Sequence, residues 1–252
     1  MSWSSRKKAK YKRALVFVAV VILAAFSFLI FYNPSTCQDG KQNQGEEGID
    51  CGGPCALVCG FKIVDPITHW SRPLKTLDGV YSVVALVENL NVSAEALAVP
   101  YVFKLYDEKG LLINERRGKT FIPSNKIFPI FEGSIRVGNR IPQRVTFEFT
   151  KKPKWVKAIV SESKIFVKNI NFLEKNGLPR ISAIIENTSV GDIKNIKLIV
   201  LALDGDNNLI NSSKTVLDLI KKNSSEKAIW TWPLPFEKKV FKIDIVLVSK
   251  IN

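Results

Sequence analysis

Four cysteines, Cys37, Cys51, Cys55 and Cys59, lie within 23 residues, and the chain has no others. Cysteines this close either pair as disulfides or hold a metal. Structural zinc sites favour C-x2-C knuckles, whereas the short spacings here are C-x3-C-x3-C, so disulfides are expected in an oxidising compartment. Four cysteines allow three pairings, and the sequence leaves the choice open. Between them Asp39, Asn43, Glu46 and Asp50 offer hard oxygen atoms in a glycine-rich segment, which makes them candidate calcium ligands. The plainer reading of the same residues is turn formation, and their spacing matches no EF-hand loop.

Other reactive groups are scarce. His69 is the single histidine, so a His-based triad or metal centre would rest on it alone. No G-x-S-x-G, P-loop, dinucleotide fingerprint or H-E-x-x-H is present. Oxidation of the cysteines would remove the thiol nucleophiles. The expectation is a non-enzyme without a cofactor, calcium aside; an enzyme built on His69 is the remote alternative. Four Asn-x-Ser sequons begin at Asn91, Asn187, Asn211 and Asn223, each an acceptor or simply a polar turn.

These residues must be placed by the elements around them. Ala14–Phe31 is an apolar run of eighteen residues interrupted only by Ser27. As a helix it would rise roughly 27 Å, close to one bilayer core. Arg6, Lys7, Lys8, Lys10, Lys12 and Arg13 precede it with no acid among them. The positive-inside rule then predicts a cytoplasmic tail (1–13), a membrane helix (14–32) and an extracytoplasmic remainder. The run is longer than a signal-peptide core, no small-x-small site follows it, and no lipobox Leu precedes Cys37. An uncleaved signal anchor is therefore expected.

Residues 33–60 form the cysteine-rich module, too polar to bury a core without a covalent staple. Beyond it, runs of Val, Ile, Leu, Phe and Tyr alternate with Gly, Asn, Asp and Pro. The predicted strands include Tyr81–Val87, Tyr101–Tyr106, Arg144–Phe149, Ile181–Ile185, Ile196–Leu203 and Phe241–Val248. The chain repeats: Glu88-Asn89 matches Glu186-Asn187, and Leu112-Ile113-Asn114 matches Leu209-Ile210-Asn211. Trp155-Val156-Lys157 resembles Val240-Phe241-Lys242, which makes the second copy about ten residues shorter in its later half. The fold class is mainly β, with two tandem immunoglobulin-like antiparallel sandwiches at 61–162 and 163–252. Val83, Ala85 and Val87 line one face of their strand, and Val84 and Leu86 make the other face apolar as well. A central strand covered on both sides is expected.

Two resemblances follow. Cys37, Asp39, Gly40, Asn43, Glu46, Asp50, Cys51, Gly52, Gly53 and Cys55 stand in the pattern C-x-D-G-x-x-N-x-x-E-x-x-x-D-C-G-G-x-C, which resembles a short cysteine module of microbial surface proteins. It implies an exported setting and no activity. Phe103-Lys104-Leu105-Tyr106-Asp107 resembles the FxLYD domain, an immunoglobulin-like module of bacterial envelope and secreted proteins, and is similar to the water-stress sandwich of late-embryogenesis-abundant proteins. The second copy, Val200-Leu201-Ala202-Leu203-Asp204, keeps only the Leu-x-Asp end. The motif reads as structural, with Phe103 and Leu105 in the core and Asp107 and Gly110 in a tight connection.

The formal charge is +14, of which +11 falls from Phe61 onward. Lysines at turns blunt sheet edges; the alternative is attraction to anionic headgroups or wall polymers. Nucleic acid is not an expected partner of an outward-facing domain. The sequence thus predicts a single-pass, membrane-anchored binding or scaffolding protein of the cell envelope, or else a subunit of a secretion, pilus or wall-assembly machine.

Overall fold

A helix apolar on every side suits a protein core or a membrane span. The computed structural model describes residues 3–31, 37–43, 45–158 and 164–249. Its first element, α1 (Trp3–Phe31), contains the apolar run and also takes in the basic residues before it. Every side chain from Lys10 to Phe28 is exposed, and this stretch is long and apolar enough to cross a membrane. The chain divides into two compact units, 1–55 and 56–252.

The second unit is built from strands. The first sandwich comprises β1 (Ile67–Leu77), β2 (Val80–Asn89), β3 (Ala94–Tyr106), β4 (Leu112–Ile122), β5 (Lys126–Arg136), β6 (Arg144–Phe149) and β7 (Trp155–Lys157). Sheet β1-β2-β5 faces sheet β4-β3-β6, with β7 also pairing β3, and every pairing is antiparallel. The second sandwich comprises β8 (Ile165–Lys175), β9 (Leu178–Asn187), β10 (Ile193–Leu203), β11 (Leu209–Ile220), β12 (Ser224–Thr231) and β13 (Lys242–Leu247). Its sheets, β8-β9-β12 and β11-β10-β13, repeat the order of the first.

Alternation builds each core. Val83, Ala85 and Val87 of β2 meet Phe103 and Leu105 of β3; Ile181, Ala183 and Ile185 of β9 meet Leu198, Val200 and Ala202 of β10. The residues between them serve a second purpose. Val84, Leu74 and Phe131 on the back of β1-β2-β5 pack against Ile199, Leu201 and Leu203 on the back of β11-β10-β13. The four sheets therefore stack in the order β4-β3-β6, β1-β2-β5, β11-β10-β13, β8-β9-β12, with three apolar layers between them. Val83 and Val84 are both fully buried, as expected of a strand covered on both sides.

The turns follow residue type. β8 and β9 are joined by Asn176 and Gly177, both at positive φ, the two-residue connection that suits strand twist.

The register overturns one alignment. β6 begins at Arg144 and pairs Tyr106, while β13 begins at Lys242 and pairs Leu203. The repeat offset thus holds to the last strand and no ten-residue deletion exists. The counterpart of Lys242 is Arg144 in β6, and Trp155–Lys157 has no partner strand in the second copy among the described residues. Trp155 is buried opposite Ala96; at the position matching Ala96 the second copy has the bulkier, buried Ile193. An aromatic residue, a Val and a Lys at each end misled the sequence comparison; strand pairing corrects it.

The first sandwich also recruits the end of the cysteine-rich stretch. Leu57 bridges Val156, Val58 N–H donates to the Trp155 carbonyl at 3.0 Å, and Lys157 N–H donates to the Ala56 carbonyl at 2.8 Å. Val58 and Ile63 pack on the core.

Candidate functional site

The cysteine segment is a knot drawn around one carboxylate. Cys37 is disulfide-bonded to Cys55. Cys51 and Cys59 are also disulfide-bonded, so no thiol is free and none is available to ligate zinc. Glu46, only 7% exposed, takes the Asn43 and Asp50 N–H groups on Oε2 at 3.3 Å each, while its Oε1 lies 3.0 Å from Cys55 Sγ. Asp50 accepts the Gly40 N–H, and Asp39 accepts the Lys41 N–H and the Asn43 side-chain amide. Asn43 Oδ1 is buried without a donor. Gly53, at positive φ, lies so close to the Gly45 carbonyl that a Cβ would sit 1.9 Å from that oxygen.

The four calcium candidates, Asp39, Asn43, Glu46 and Asp50, thus share one knot, but the three carboxylates accept backbone and amide N–H groups and the Asn43 amide donates to Asp39. Among the described residues the only convergence of three ligand-type groups within 4.8 Å is Cys37, Glu46 and Cys55. Two of those three atoms are disulfide sulfurs, which lack the thiolate charge that binds metals.

His69 lies on β1, with Nε2 2.9 Å from Glu88 Oε2 on β2. Both groups are partly exposed. Such a pair orients the imidazole but needs a third, nucleophilic group to perform acyl chemistry.

The FxLYD residues are architectural. Phe103 and Leu105 are fully buried. Asp107 Oδ1 accepts the Lys109 and Leu111 N–H groups, and its Oδ2 pairs with Arg140 at 2.7 Å. In the second copy Asp204 Oδ1 accepts the Asp206 and Asn208 N–H groups, and its Oδ2 pairs with Lys238 at 2.9 Å. Gly110 and Asn207 take positive φ at matching positions. Sequence shows the first Asp and conceals the cation, because Arg140 and Lys238 lie over thirty residues downstream.

Asn89 and Asn187, matched in the sequence repeat, form a second pair of turn-holding side chains. Asn89 Nδ2 donates to the Ala94 and Pro123 carbonyls, and its Oδ1 accepts the Asn91 N–H. Asn187 Nδ2 donates to the Gly191 and Ile220 carbonyls, and its Oδ1 accepts the Ser189 N–H. This use settles two sequons physically. Asn187 is fully buried, and Asn91 is held between Val64 and Asn89. Asn211 accepts from Trp232 Nε1, and Asn223 stands exposed in the turn before β12.

Tyr101 reaches across the sandwich, donating its hydroxyl to Glu132 Oε1 at 2.7 Å, and Glu132 pairs with Arg116. Burial, then the hydrogen bond to Glu132, pushes the phenol far above its ordinary range. The ring passes over Gly118, where a Cβ would lie 2.4 Å from the hydroxyl oxygen.

Where the two sandwiches meet, three grooves open. One contains Arg72, Lys75, Trp232 and Lys238; a second is apolar, with Trp70, Ile127, Ile170 and Ile245; a third contains Lys119, Lys197 and Lys214 over a floor including Phe131 and Ile199.

No protein-family model matches the chain, and no characterised protein matches its sequence. Among solved structures, a red sea bream transglutaminase aligns at 9% identity over 75% of this chain and 32% of its own, with a TM-score of 0.24. A β-glucuronidase from glycoside hydrolase family 2 aligns at 15% identity over 80% of this chain and 25% of its own, with a TM-score of 0.19. This chain spans a third or less of either protein's length.

Proposed function

We propose that this is a single-pass membrane protein with a cytoplasmic N-terminus, carrying a disulfide-stapled module and two FxLYD-type sandwiches outside the membrane. It binds or scaffolds at the cell envelope and performs no catalysis. The observation that carries this reading is the order of the parts. Basic residues precede an exposed apolar helix, and four oxidised cysteines follow it within thirty residues. Basic flanks stay cytoplasmic, and disulfides persist on the oxidising side. The groups most suggestive of chemistry support a structural role, since Asp107, Asp204, Asn89 and Asn187 each hold a turn.

The test uses intact cells carrying a C-terminal epitope tag. External protease should remove the tag, and thiol alkylation before reduction should leave all four cysteines unlabelled. A protected tag with alkylated cysteines would place residues 37–252 in the cytosol and refute the proposal. Stable co-purification of defined envelope proteins would turn it toward a machine subunit.

A further inference from the structure

We infer that the groove between the sandwiches lined by Lys119, Lys197 and Lys214 is a binding site for an acidic polysaccharide, one whose repeating units carry carboxylate or phosphodiester charge. The inference rests on the envelope placement proposed above and names the ligand class. It begins from an imbalance. The groove measures about 440 Å³, and both sandwiches contribute to it: Lys119 from β4 in the first, Lys197 from β10 and Lys214 from β11 in the second. All three lysines are exposed. None forms an ion pair among the described residues. The one carboxylate in the lining, Glu132, already serves Tyr101 and Arg116.

The neighbouring grooves show the ordinary alternative. In one, Lys75 pairs with Asp78, Lys238 pairs with Asp204, and the Arg72 guanidinium lies 5.2 Å over Trp70. In the apolar one, Asp244 is matched by Lys242. In the third, Lys214 Nζ lies 6.0 Å over the Phe131 ring, and no carboxylate pairs with any of its three lysines among the described residues.

Strand register places the lysines together. Lys197 opposes Val216 and Lys214 opposes Ile199, so the two lysines are diagonal neighbours on one face of the sheet, about 7 Å apart. Like charges so placed repel unless an anion lies between them. Ala98, at a bulge of β3, and its repeat counterpart Asn195, both at positive φ, also line this groove. The floor is buried apolar surface from Phe131, Ile199 and Val248, and Asn195 and Ser249 add polar groups. A recessed cleft with a cationic rim admits a narrow, flexible polyanion. A bilayer surface is broad and cannot enter it.

The test uses full-length protein in nanodiscs of neutral phosphatidylcholine. Binding is measured by interferometry to polygalacturonate, a carboxylate polymer, to polyglycerol phosphate, a phosphate polymer, and to neutral dextran. Binding to at least one polyanion is expected, falling as salt rises, with none to dextran; the two arms decide which charge is read. The triple variant Lys119→Ala, Lys197→Ala, Lys214→Ala should weaken binding at least tenfold. The variant Lys151→Ala, Lys152→Ala, Lys154→Ala removes equal charge elsewhere and should stay within twofold. Should the triple variant melt early, the single Lys214→Ala, at an exposed position, should still weaken binding about threefold. Equal losses in both triple variants, no polyanion binding, or binding only to anionic lipid vesicles would overturn the inference. Cell-surface shaving does not enter these measurements, so a cytosolic sandwich with intact polyanion binding would refute the placement alone.

Discussion

Asn89 and Asn187 show how much one side chain can fix. Each is buried at the end of a central strand, and each ties the following loop to a second segment more than thirty residues away. Replacing either by Ala strands buried carbonyls without donors, and unmet buried polar groups cost about 1–3 kcal/mol apiece. Asn89→Ala and Asn187→Ala should each lower stability by about 3 kcal/mol in denaturant titrations, whereas Asn223→Ala should be nearly neutral; changes below about 0.5 kcal/mol at both buried sites would refute the account. Asp204 allows a pH test. The Lys238 ammonium first, then the Asn208 N–H, hold its carboxyl below the usual carboxylate range. A depressed folded value stabilises above the unfolded carboxyl's value of about 4 and loses that contribution as pH falls through the folded one. Melting temperatures of the native chain and Asp204→Asn should therefore differ at pH 7 and converge as pH falls below the unfolded carboxyl's value and through the depressed folded one. Parallel curves would show that the carboxylate's charge is irrelevant.

The strands explain which parts of the molecule sequence could disclose. β2 was legible because Val83–Val87 is apolar at every position, which only a strand covered on both faces tolerates. Asp107 and its turn were legible because Asp and Gly have definite backbone preferences. What covers the second face was not legible, since apolar residues announce burial without naming the partner; here it is the other sandwich, through Leu201 and its neighbours. The mismatch of Trp155-Val156-Lys157 with Val240-Phe241-Lys242 has the same origin: composition resembled, pairing differed. The Lys119, Lys197 and Lys214 groove was equally hidden, because its members come from strands brought together only by stacking. The repeat itself supplies an element-level test. Leu201 lies where the first copy has Lys104, which is half-exposed and paired with Glu148. Leu201→Lys should weaken the contact between the sandwiches by about 3 kcal/mol and split one calorimetric transition into two. A single transition within about 1 kcal/mol of the native one would mean that the shared layer contributes little to cooperativity.

At the scale of the four-sheet stack, the contact between sandwiches is heterologous. The back of β1-β2-β5 meets the back of β11-β10-β13, and these are different faces of the repeated unit. Heterologous contacts do not close on themselves, so the same contact made between molecules would propagate a filament. The two faces left at the ends of the stack are the repeat counterparts of the buried ones, and their residues differ in kind. Opposite Val84 of the buried face stands Ser182 on β9, beside Lys168 paired with Glu186. Opposite Leu201 and Leu203 stand Lys104 and Tyr106 on β3, with Arg144 lying over the Tyr106 ring. Lys104 and Tyr106 thus take positions that Leu201 and Leu203 hold inside, as in the polar end units of stacked repeats, whereas the β8-β9-β12 end keeps exposed Leu173 and Ile229 where the inner face has Leu74 and Phe131. Lys104→Leu with Tyr106→Leu would restore the inner pattern at an outer face. That variant should form concentration-dependent larger species in sedimentation velocity at the same detergent concentration, whereas the charge-preserving Lys104→Arg should sediment as the native chain does. If the double leucine variant sediments unchanged, the outer charges are not what ends the stack, and the geometry of β4-β3-β6 itself must be.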